Sequence, residues 1–487
     1  MSSPSDLEPL RIGMIGAGTV GGGVYEIIMG RLGGSNAYAS SSMAMSSTDN
    51  QNSMPSFPLH SFSSNSSIRP CIITKICMRD TSKRRSFTID QHATTVTTDV
   101  NSIIDDEDID IVVEVMGGTD LAKTVVVESL KRGKSVVTAN KALIAEYLDE
   151  IKDLVQDINQ KSMESTTNGS SSSKKGVVFA YEAAVCGGIP IIQALQHCFT
   201  GDIIHEVMGI CNGTTNYMLG KMEGGASDYA EILKEAQDLG YAEADPTADV
   251  EGHDVRAKIA ILAKLAFGTT VPISSIPCMG ITQISSVDFE YAKLLGCTIK
   301  LVGTAERLSQ FGEHDGALSV YVAPKVVPQS HLLASARGSG NAVAVKSANL
   351  GITSYTGPGA GRFPTANSIV ADICRVATAA GNNHSNSYHH PFPLTSDIEI
   401  DGDYSAPFYI RVSFQDELGI IRRVGEIAEK HGVSISTVLQ NPIKDRRMAD
   451  FVITTETCRE SQVREMCEDI GYEDFAHCTP LYMPMLE

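Results

Sequence analysis

The sequence has no apolar run of the 18 or so residues that a membrane-spanning helix needs. Its N-terminus also lacks the basic region and apolar stretch that mark a secretory signal. Basic residues are few: 39 Lys and Arg stand against 58 Asp and Glu, and the formal net charge is −19. This charge disfavours non-specific binding to nucleic acid or acidic membranes. We therefore expect no nucleic-acid or membrane partner, and a location in the cytoplasm, or in the plastid stroma if a transit peptide has been removed.

Paired cysteines are also absent. The 11 cysteines are scattered singly and none forms a CxxC pair, so we expect reduced thiols and no zinc site. At 487 residues, of which 42% are hydrophobic, the chain is long enough for two to four globular domains.

The N-terminal region carries a nucleotide-binding pattern. Residues 10–29 (LRIGMIGAGTVGGGVYEIIM) predict a strand, a glycine-rich turn and a helix, in which Gly16, Gly18 and Gly21 form GxGxxG. The first two glycines permit a tight turn that a diphosphate can approach, and the third lets the helix pack closely on the strand. The helix N-terminus then faces the phosphates. We predict a dinucleotide site on an α/β, Rossmann-type parallel sheet.

The end of the second predicted strand (71–78) bears on the choice of dinucleotide. Asp80 suits the ribose hydroxyls of NAD, whereas a basic cluster suits the 2′-phosphate of NADP. We favour NADP and leave NAD open, with a solvated turn as the alternative reading. The basic residues are Arg79, Lys83, Arg84 and Arg85.

Two further positions follow strands of the same predicted sheet. The strand in 108–118 ends in Gly117 and Gly118, where backbone could meet the nicotinamide half of the cofactor. Lys141 follows the strand SVVTAN, which places it on the ligand-binding edge of an open parallel sheet. The alternative is a solvent-exposed lysine at a helix start.

An acidic segment, Glu243 to Lys258, is the candidate substrate site. Pro246 and Gly252 are expected to keep most of it out of a helix, until an amphipathic helix begins at Asp254. Asp254 and Lys258 then lie one turn apart on one face. A solvated acidic loop with an ordinary helix ion pair is the alternative. The five carboxylates are Glu243, Asp245, Asp249, Glu251 and Asp254.

The rest of the chain gives coarser predictions. NGTTNY (212–217) is a polar turn that could donate to a ligand or cap a helix, and residues 274–350 suggest an antiparallel or mixed sheet. The Ser-rich stretches 33–68 and 161–175 read as flexible insertions and 381–393 as a linker. From about 406 the pattern predicts a ferredoxin-like βαββαβ unit.

Six motifs in order resemble the homoserine dehydrogenase family of the longer type, which ends in an ACT regulatory domain. They are GAGTVG at 16, TANKALIA at 138, YEAAVCGGIPII at 181, GICNGTTNY at 209, GYAEADPTADVEGHDVRAK at 240 and GPGAGRFPTA at 357. The resemblance implies a Rossmann-type NAD(P)-binding domain in 1–176 and an α+β catalytic and dimerisation domain with a mixed sheet in 177–356. A helix returning to the nucleotide domain, with a linker, would follow in 357–396, and the ACT domain in 406–487.

That family reversibly reduces L-aspartate 4-semialdehyde to L-homoserine with NAD(P)H, in threonine, methionine and isoleucine biosynthesis. The resemblance implies that Lys258 donates the proton and that Lys141 lies near cofactor and substrate. The residues alone do not decide which lysine delivers the proton. Glu243 and Asp254 would hold the substrate, with Asp249 in the same catalytic cluster, while Asp245 and Glu251 would be turn or solvent residues. The implied cofactor positions are Gly18, Thr19, Val20, Gly117, Lys141 and Gly361.

The resemblance also implies a monovalent cation, usually sodium, and feedback inhibition by L-threonine. Asp416 and Gly419 would mark the threonine region, although Leu418 stands where the ACT pattern often has Pro, and some ACT domains serve mainly assembly. A homodimer or homotetramer is expected. The implied cation ligands are the Glu182 side chain and the carbonyls of Val185, Gly187 and Ile189.

Two rival functions stand beside this one. The acidic segment could bind magnesium for phosphoryl transfer or hydrolysis, which would leave the first 140 residues unexplained. Alternatively, the chain could be a non-catalytic amino-acid sensor on a nucleotide-binding scaffold, against which the lysines and acids argue.

Overall fold

The computed structural model describes residues 8–32, 69–167, 176–225, 229–308, 317–379 and 399–486. The predicted insertion 33–68 and linker 381–393 lie outside the described residues. The predicted flexible insertion 161–175 is wrong for its first seven residues, because a helix continues to Thr167, and residues 168–175 lie outside the described residues. Residues 161–167 contain no Gly or Pro to stop it. The chain divides into two compact units: Met1–Pro190 with Ala360–His389, and Ile191–Gly359 with His390–Glu487.

A parallel sheet forms the centre of the first unit. Its described strands are β1 (Leu10–Ile15), β2 (Cys71–Cys77), β3 (Thr95–Thr97), β4 (Ile111–Glu114), β5 (Ser135–Thr138) and β6 (Phe179–Ala180). They are ordered β3-β2-β1-β4-β5-β6, and every pair is parallel. This is the doubly wound order, in which ligands bind at the carboxyl ends of β1 and β4, where the strand order reverses. The predicted Rossmann-type sheet is confirmed.

Helices cover both faces of this sheet. In chain order they are α1 (Thr19–Ile27), α2 (Asn101–Ile104), α3 (Asp120–Lys131) and α4 (Lys141–Thr167). One apolar core includes Met14 and Val24, and a second includes Val112 and Val125. Burial on both faces explains why β4 and β5 are buried throughout rather than alternating. None of the described helices, the long α4 included, is apolar enough to span a bilayer.

The second unit contains an antiparallel sheet flanked by helices. The helices around this sheet are α5 (Ile191–Gln193), α6 (Gly213–Glu223), α7 (Tyr229–Asp238), α8 (Thr247–Val250), α9 (His253–Phe267) and α10 (Ser286–Leu294). The strands are β7 (Ile204–Ile210), β8 (Cys297–Arg307), β9 (Leu318–Pro328), β10 (Gly340–Ser347) and β11 (Gly351–Pro358). Within the described residues the sheet order is β11-β10-β7-β8-β9.

The residue pattern left an antiparallel or a mixed sheet open, and the structure has the antiparallel one, since every strand pair of this sheet is antiparallel. The mixed sheet that the family resemblance implied is wrong. The short connection between β10 and β11 explains part of the difference. A parallel pair needs a crossover of a dozen or more residues, and only three residues separate these strands.

The next helix, α11 (Arg362–Ala379), belongs to the first unit. It packs on α1 at very short range, because a Cβ built on Gly23 would lie 2.8 Å from the Arg362 carbonyl oxygen and 2.9 Å from the Ala366 Cβ. Ile369 completes the contact within the core. Arg362 also forms an ion pair with Glu26 at 2.8 Å. Glycine at position 23 is what permits this close approach.

The C-terminal residues form a βαββαβ arrangement, as the sequence pattern predicts. In chain order the elements of this region are β12 (Ser405–Ala406), β13 (Phe408–Phe414), α12 (Ile420–Lys430), β14 (Ile435–Leu439), β15 (Ala449–Thr455), β16 (Cys458–Arg459), α13 (Glu460–Gly471) and β17 (Leu481–Pro484). The short strands β12 and β16 pair with each other, and the other six elements form the βαββαβ order. The main described sheet is antiparallel in the order β14-β15-β13-β17. It packs against β9, where Tyr404 stacks on Tyr321 with ring centroids 3.6 Å apart.

Candidate active site

The glycine-rich turn after β1 is shaped for close contact. Gly16 has φ +111°, and a Cβ there would lie 2.5 Å from the Val115 carbonyl oxygen. A Cβ on Gly21 would overlap the carbonyl oxygen of Gly16. A Cβ on Gly18, by contrast, would meet no heavy atom of the described residues within 4 Å. Gly16 and Gly21 therefore close the turn, while Gly18 leaves a bare backbone surface. Thr19 and Val20 follow in the first turn of α1, whose N-terminus suits an anion.

The basic residues after β2 fall into two groups: one is hydrogen-bonded to the loops around it and the others are exposed. Arg85 is half-buried and donates from one guanidinium nitrogen to the Ala17 carbonyl at 2.9 Å and from another to the Asp80 carbonyl at 2.8 Å. Arg85 therefore ties this loop to the glycine turn. The carboxylate of Asp80 accepts hydrogen bonds from the backbone N–H and hydroxyl of Ser82. The remaining three basic residues of the cluster, Arg79, Lys83 and Arg84, are exposed.

A network of buried polar residues, which sequence reasoning missed, joins the ends of β4 and β5. Glu114 is fully buried. Its carboxylate accepts hydrogen bonds from the Thr138 hydroxyl and, at 2.7 Å, from the Met116 backbone N–H. Burial raises the pKa of Glu114. Asn140 donates to the Gly118 carbonyl at 2.7 Å, and Lys141 follows it as the first residue of α4. The two strand ends are thus fixed to each other beside Lys141.

Gly117 and Gly361, two further predicted cofactor positions, differ in their surroundings. A Cβ on Gly117 would meet nothing within 4 Å among the described residues, as at Gly18. Gly361 has φ +121° and stands directly before α11, so it makes a turn that other residues disfavour.

The proposed cation ligands lie on one strained turn of the first unit. Glu182 is buried, and its backbone N–H donates to Asp372 at 2.8 Å. Cys186 has φ +51°, which is rare for a residue other than glycine. The Gly187 carbonyl accepts the Ser368 hydroxyl at 2.6 Å, and the Ile189 N–H donates back to the Cys186 carbonyl. Val185 lies between these residues and is buried.

In the second unit, the start of α9 brings Asp254 and Lys258 together as the sequence spacing predicts. Lys258 Nζ lies 2.8 Å from Asp254 Oδ2 and donates to the Cys211 carbonyl at 2.6 Å. The side chains are 13% and 6% exposed, respectively, so this ion pair is largely withdrawn from water. Gly252, with φ +79°, precedes the helix.

Asn212 links this pair to Asp249. Its Nδ2 donates to Asp249 Oδ1 at 2.6 Å and to Asp254 Oδ2 at 3.0 Å. Its Oδ1 accepts the Thr215 backbone N–H at 2.9 Å and so caps α6. Of the two alternatives for NGTTNY, the helix cap is therefore confirmed for Asn212, while donation to a ligand stays a prediction. We call Asn212, Asp249, Asp254 and Lys258 the acidic network.

The second asparagine of NGTTNY has a structural role. Asn216 Oδ1 accepts a hydrogen bond from Lys300 Nζ at 2.9 Å, and Lys300 also donates to the Ala336 carbonyl. Lys300 is only 1% exposed, and burial lowers its pKa to about 8. This lysine on β8 was not predicted, since a single strand lysine usually faces solvent.

The remaining carboxylates of the acidic segment stand apart from the acidic network. Glu243 is exposed, and within the described residues no hydrogen bond joins its carboxylate to that network. Asp245 accepts the Thr247 backbone N–H and hydroxyl and so shapes a turn. Pro246 and Gly252 keep most of the segment before Asp254 out of a helix, as predicted, and the exception is the short helix α8, which starts directly after Pro246. Proline is compatible with a helix start, where its missing N–H leaves no bond unmade.

Comparison with known proteins decides the family. A family model described as "Homoserine dehydrogenase, NAD binding domain" matches residues 16–163, and one described as "Homoserine dehydrogenase" matches residues 190–374. A Bacillus subtilis homoserine dehydrogenase is 35% identical over 468 residues, covering 96% of this chain and 95% of its own. The chain belongs to the homoserine dehydrogenase family.

Solved structures of the family have the same fold. A homoserine dehydrogenase from Thiobacillus denitrificans has a TM-score of 0.80 and 30% identity, with 99% of each chain covered. One from S. aureus has a TM-score of 0.69 and 28% identity, covering 98% of this chain and 99% of its own. Within the family framework, the candidate cofactor residues all lie in the first unit, whereas the acidic network lies in the second.

The candidate regulatory residues of this family member lie where β13 leads into α12. Gly419 has φ +89° and precedes α12, and the Asp416 N–H donates to the Arg446 carbonyl at 2.7 Å. Leu418, between them, is fully exposed.

The rival hypothesis of a magnesium site in the acidic segment gains no support. Among the described residues, no three His, Cys, Asp or Glu side chains come together as metal ligands.

Proposed function

We propose that the protein catalyses the reversible, NAD(P)H-dependent reduction of L-aspartate 4-semialdehyde to L-homoserine. The observation that carries this proposal is the match to curated homoserine dehydrogenases along 96% of the chain. The acidic network supports it, because all four of its residues fall within the family match at 190–374. The activity belongs to the oxidoreductases that act on a CH–OH group, in threonine, methionine and isoleucine biosynthesis.

Lys258 is the proposed proton donor to the oxygen of the reacting carbonyl. Asp254 and the Cys211 carbonyl both accept from its ammonium group, which fixes the position of Nζ. A fixed acid at the reacting oxygen lowers the barrier by general acid catalysis. The nicotinamide supplies the hydride when bound. Lys141, at the strand edge of the first unit, remains the alternative proton donor.

Carboxylates are proposed to hold the ammonium group of the amino-acid substrate. Asp254 and Asp249 are positioned by Asn212, so their oxygens are already oriented before the substrate arrives. Glu243 is proposed as a third contact from the exposed part of the segment. Because the ammonium group is present throughout the reaction, these contacts chiefly affect the KM for the substrate.

The proposed cofactor is NADP, with NAD as the second choice. The backbone at Gly16, Gly18 and Gly21 and the first turn of α1 would receive the diphosphate, while Gly117, Lys141 and Gly361 would lie near the nicotinamide half. Arg79, Lys83 and Arg84 support NADP, because they are exposed and a 2′-phosphate is a dianion that guanidinium and ammonium groups bind.

A monovalent cation, sodium, is proposed at the turn formed by Glu182, Val185, Gly187 and Ile189. Carboxylate and carbonyl oxygens are hard ligands suited to such an ion. The Gly187 carbonyl, which already accepts from Ser368, retains a second lone pair.

We further propose that the C-terminal βαββαβ unit is an ACT domain that senses L-threonine near Asp416 and Gly419. The protein is also proposed to form a homodimer or homotetramer.

The test is a steady-state assay of homoserine oxidation and of aspartate-semialdehyde reduction with each cofactor. In Lys258→Met the kcat should fall about 100-fold or more, while the dissociation constant of NADPH stays unchanged. Lys264→Met, six residues along the same helix, is the matched control and should retain its turnover. Unchanged turnover in Lys258→Met, together with loss of turnover in Lys141→Met, would show that Lys141 is the proton donor instead.

A further inference from the structure

The C-terminal βαββαβ region (405–484), which we call the C-terminal unit, holds the start of α10 through a buried carboxylate. Asp288 accepts the Ser285 backbone N–H at 2.9 Å and its hydroxyl at 3.2 Å, which closes the N-terminal cap of α10. Its other oxygen accepts the Tyr409 hydroxyl at 3.0 Å and lies 2.9 Å from Arg411 Nε. Tyr409 and Arg411 are both on β13, so one side chain joins the two elements. A fully buried carboxylate depends on such partners, because it has no water to solvate it.

Arg411 also binds the chain just before this cap. One of its terminal nitrogens donates to the Gln283 carbonyl at 3.2 Å. The backbone from Cys278 to Asp288, which we call the bridging segment, is therefore held at its C-terminal end by β13. At its other end the Met279 N–H donates to the Val322 carbonyl of β9 at 2.8 Å.

The bridging segment packs directly on the turn between α8 and α9. The Ile281 N–H donates to the Val250 carbonyl at 2.8 Å, and the Cys278 thiol donates to the Glu251 carbonyl at 3.2 Å. A Cβ on Gly280 would lie 2.6 Å from the Glu251 Cα, so these two backbones touch with no side chain between them. A shift of the bridging segment must therefore shift this turn, since close-packed backbone cannot yield.

The same turn carries the acidic network. Asp249 lies in α8, and its carbonyl accepts the Gly252 N–H at 3.0 Å. Gly252 opens α9, from which Asp254 and Lys258 project. Contacts thus run without a gap from β13 through the bridging segment to the residues proposed to hold the substrate.

We propose that Asp288 is a positioning residue for the substrate site, held by Tyr409 and Arg411 of the C-terminal unit, and that this contact sets the geometry of the acidic network. The inference rests on the proposed function for its kinetic consequence. It makes the C-terminal unit part of the substrate-binding machinery even without an effector, and it gives a physical route by which a ligand of that unit would alter substrate affinity.

The test compares two single-hydroxyl deletions in the full-length protein. Tyr409→Phe removes the hydrogen bond to Asp288. Tyr291→Phe is the matched control, because Tyr291 is also buried, also on the α10 interface, and bonds the same C-terminal unit at the Asp450 carbonyl and the Asn441 N–H. We expect Tyr409→Phe to raise the KM for L-homoserine about 3- to 10-fold, with the KM for NADP unchanged. Tyr291→Phe should leave both constants unchanged.

Amide hydrogen exchange gives a second readout that needs no activity. Residues 250–256 should exchange faster in Tyr409→Phe and in Asp288→Asn, and at the wild-type rate in Tyr291→Phe. Equal effects of Tyr409→Phe and Tyr291→Phe on both readouts would overturn the proposal, since the contact would then serve stability alone. A wild-type protein that does not oxidise homoserine would refute the proposed function, whereas the exchange measurement would still decide whether Asp288 positions the turn.

Discussion

Lys300 gives a prediction whose size can be worked out from the structure. Its ammonium group is buried on β8, with Asn216 Oδ1 and the Ala336 carbonyl as acceptors. Burial lowers its pKa from 10.5 to about 8, with Glu223 acting in the opposite direction and Arg337 reinforcing the shift. The folded state therefore binds this proton more weakly than the unfolded state. By linkage, the wild-type protein should gain stability as pH rises from about 8 towards the unfolded value.

The perturbation is Lys300→Met, which keeps the length of the side chain and removes the titration. With these two pKa values, the free energy of unfolding of the wild type should rise relative to the variant by about 2 kcal/mol between about pH 7 and about pH 9.5. Other groups that titrate in this range are common to both proteins, so they cancel in the difference.

Urea unfolding at the two pH values measures this difference. Since the sequence contains no Trp, far-UV circular dichroism is the appropriate signal. Lys221→Met, on α6, is the control: hydrogen bonds to Glu235 and Tyr217 raise the pKa of Lys221, so its effect on stability should not change in this pH window. The decisive quantity is the free energy of unfolding of the wild type minus that of Lys300→Met. A value that stays constant or falls as pH rises would refute the reasoning.

Two further predictions concern ligands. Gly18→Ala should keep the wild-type melting temperature, because a Cβ there would meet no heavy atom of the described residues within 4 Å, but it should bind NADPH at least about 10-fold more weakly if the proposed cofactor site is correct. Gly21→Ala should lower the melting temperature, because its methyl group would overlap the Gly16 carbonyl. Equal melting temperatures of these two variants would contradict the proposed roles. Millimolar L-threonine should inhibit the wild type. Asp416→Ala should raise the L-threonine concentration needed for half-inhibition and leave kcat unchanged. Identical inhibition of the variant and the wild type would show that Asp416 does not contribute to the effector site.

Local patterns made much of the fold predictable. The strand, glycine turn and helix at the N-terminus, the doubly wound sheet and the C-terminal βαββαβ order all follow from short-range spacing of apolar residues, Gly and turn residues. The ion pair of Asp254 with Lys258 was equally accessible, since four residues make one helical turn.

Contacts between distant positions were not predictable from the same patterns. Asn212 donates to Asp249, 37 residues away, and no local signal marks that pairing. Lys300 is buried because Asn216 accepts from it across 84 positions, although a lysine in a strand normally predicts exposure. Asp288 looks like a simple capping residue until β13 is packed against it. The sequence shows which groups can pair, whereas the tertiary fold decides which of them meet.

The return of α11 to the first unit has a consequence for synthesis on the ribosome. Ala366 and Ile369 fill the same core as Met14 and Val24, so the N-terminal unit lacks part of its interior until α11 has been translated. Residues 191–359 emerge in between. At ordinary translation rates this delay lasts about 10 to 30 s, during which the nascent glycine-rich face of α1 has no partner helix and is exposed to chaperones and to aggregation.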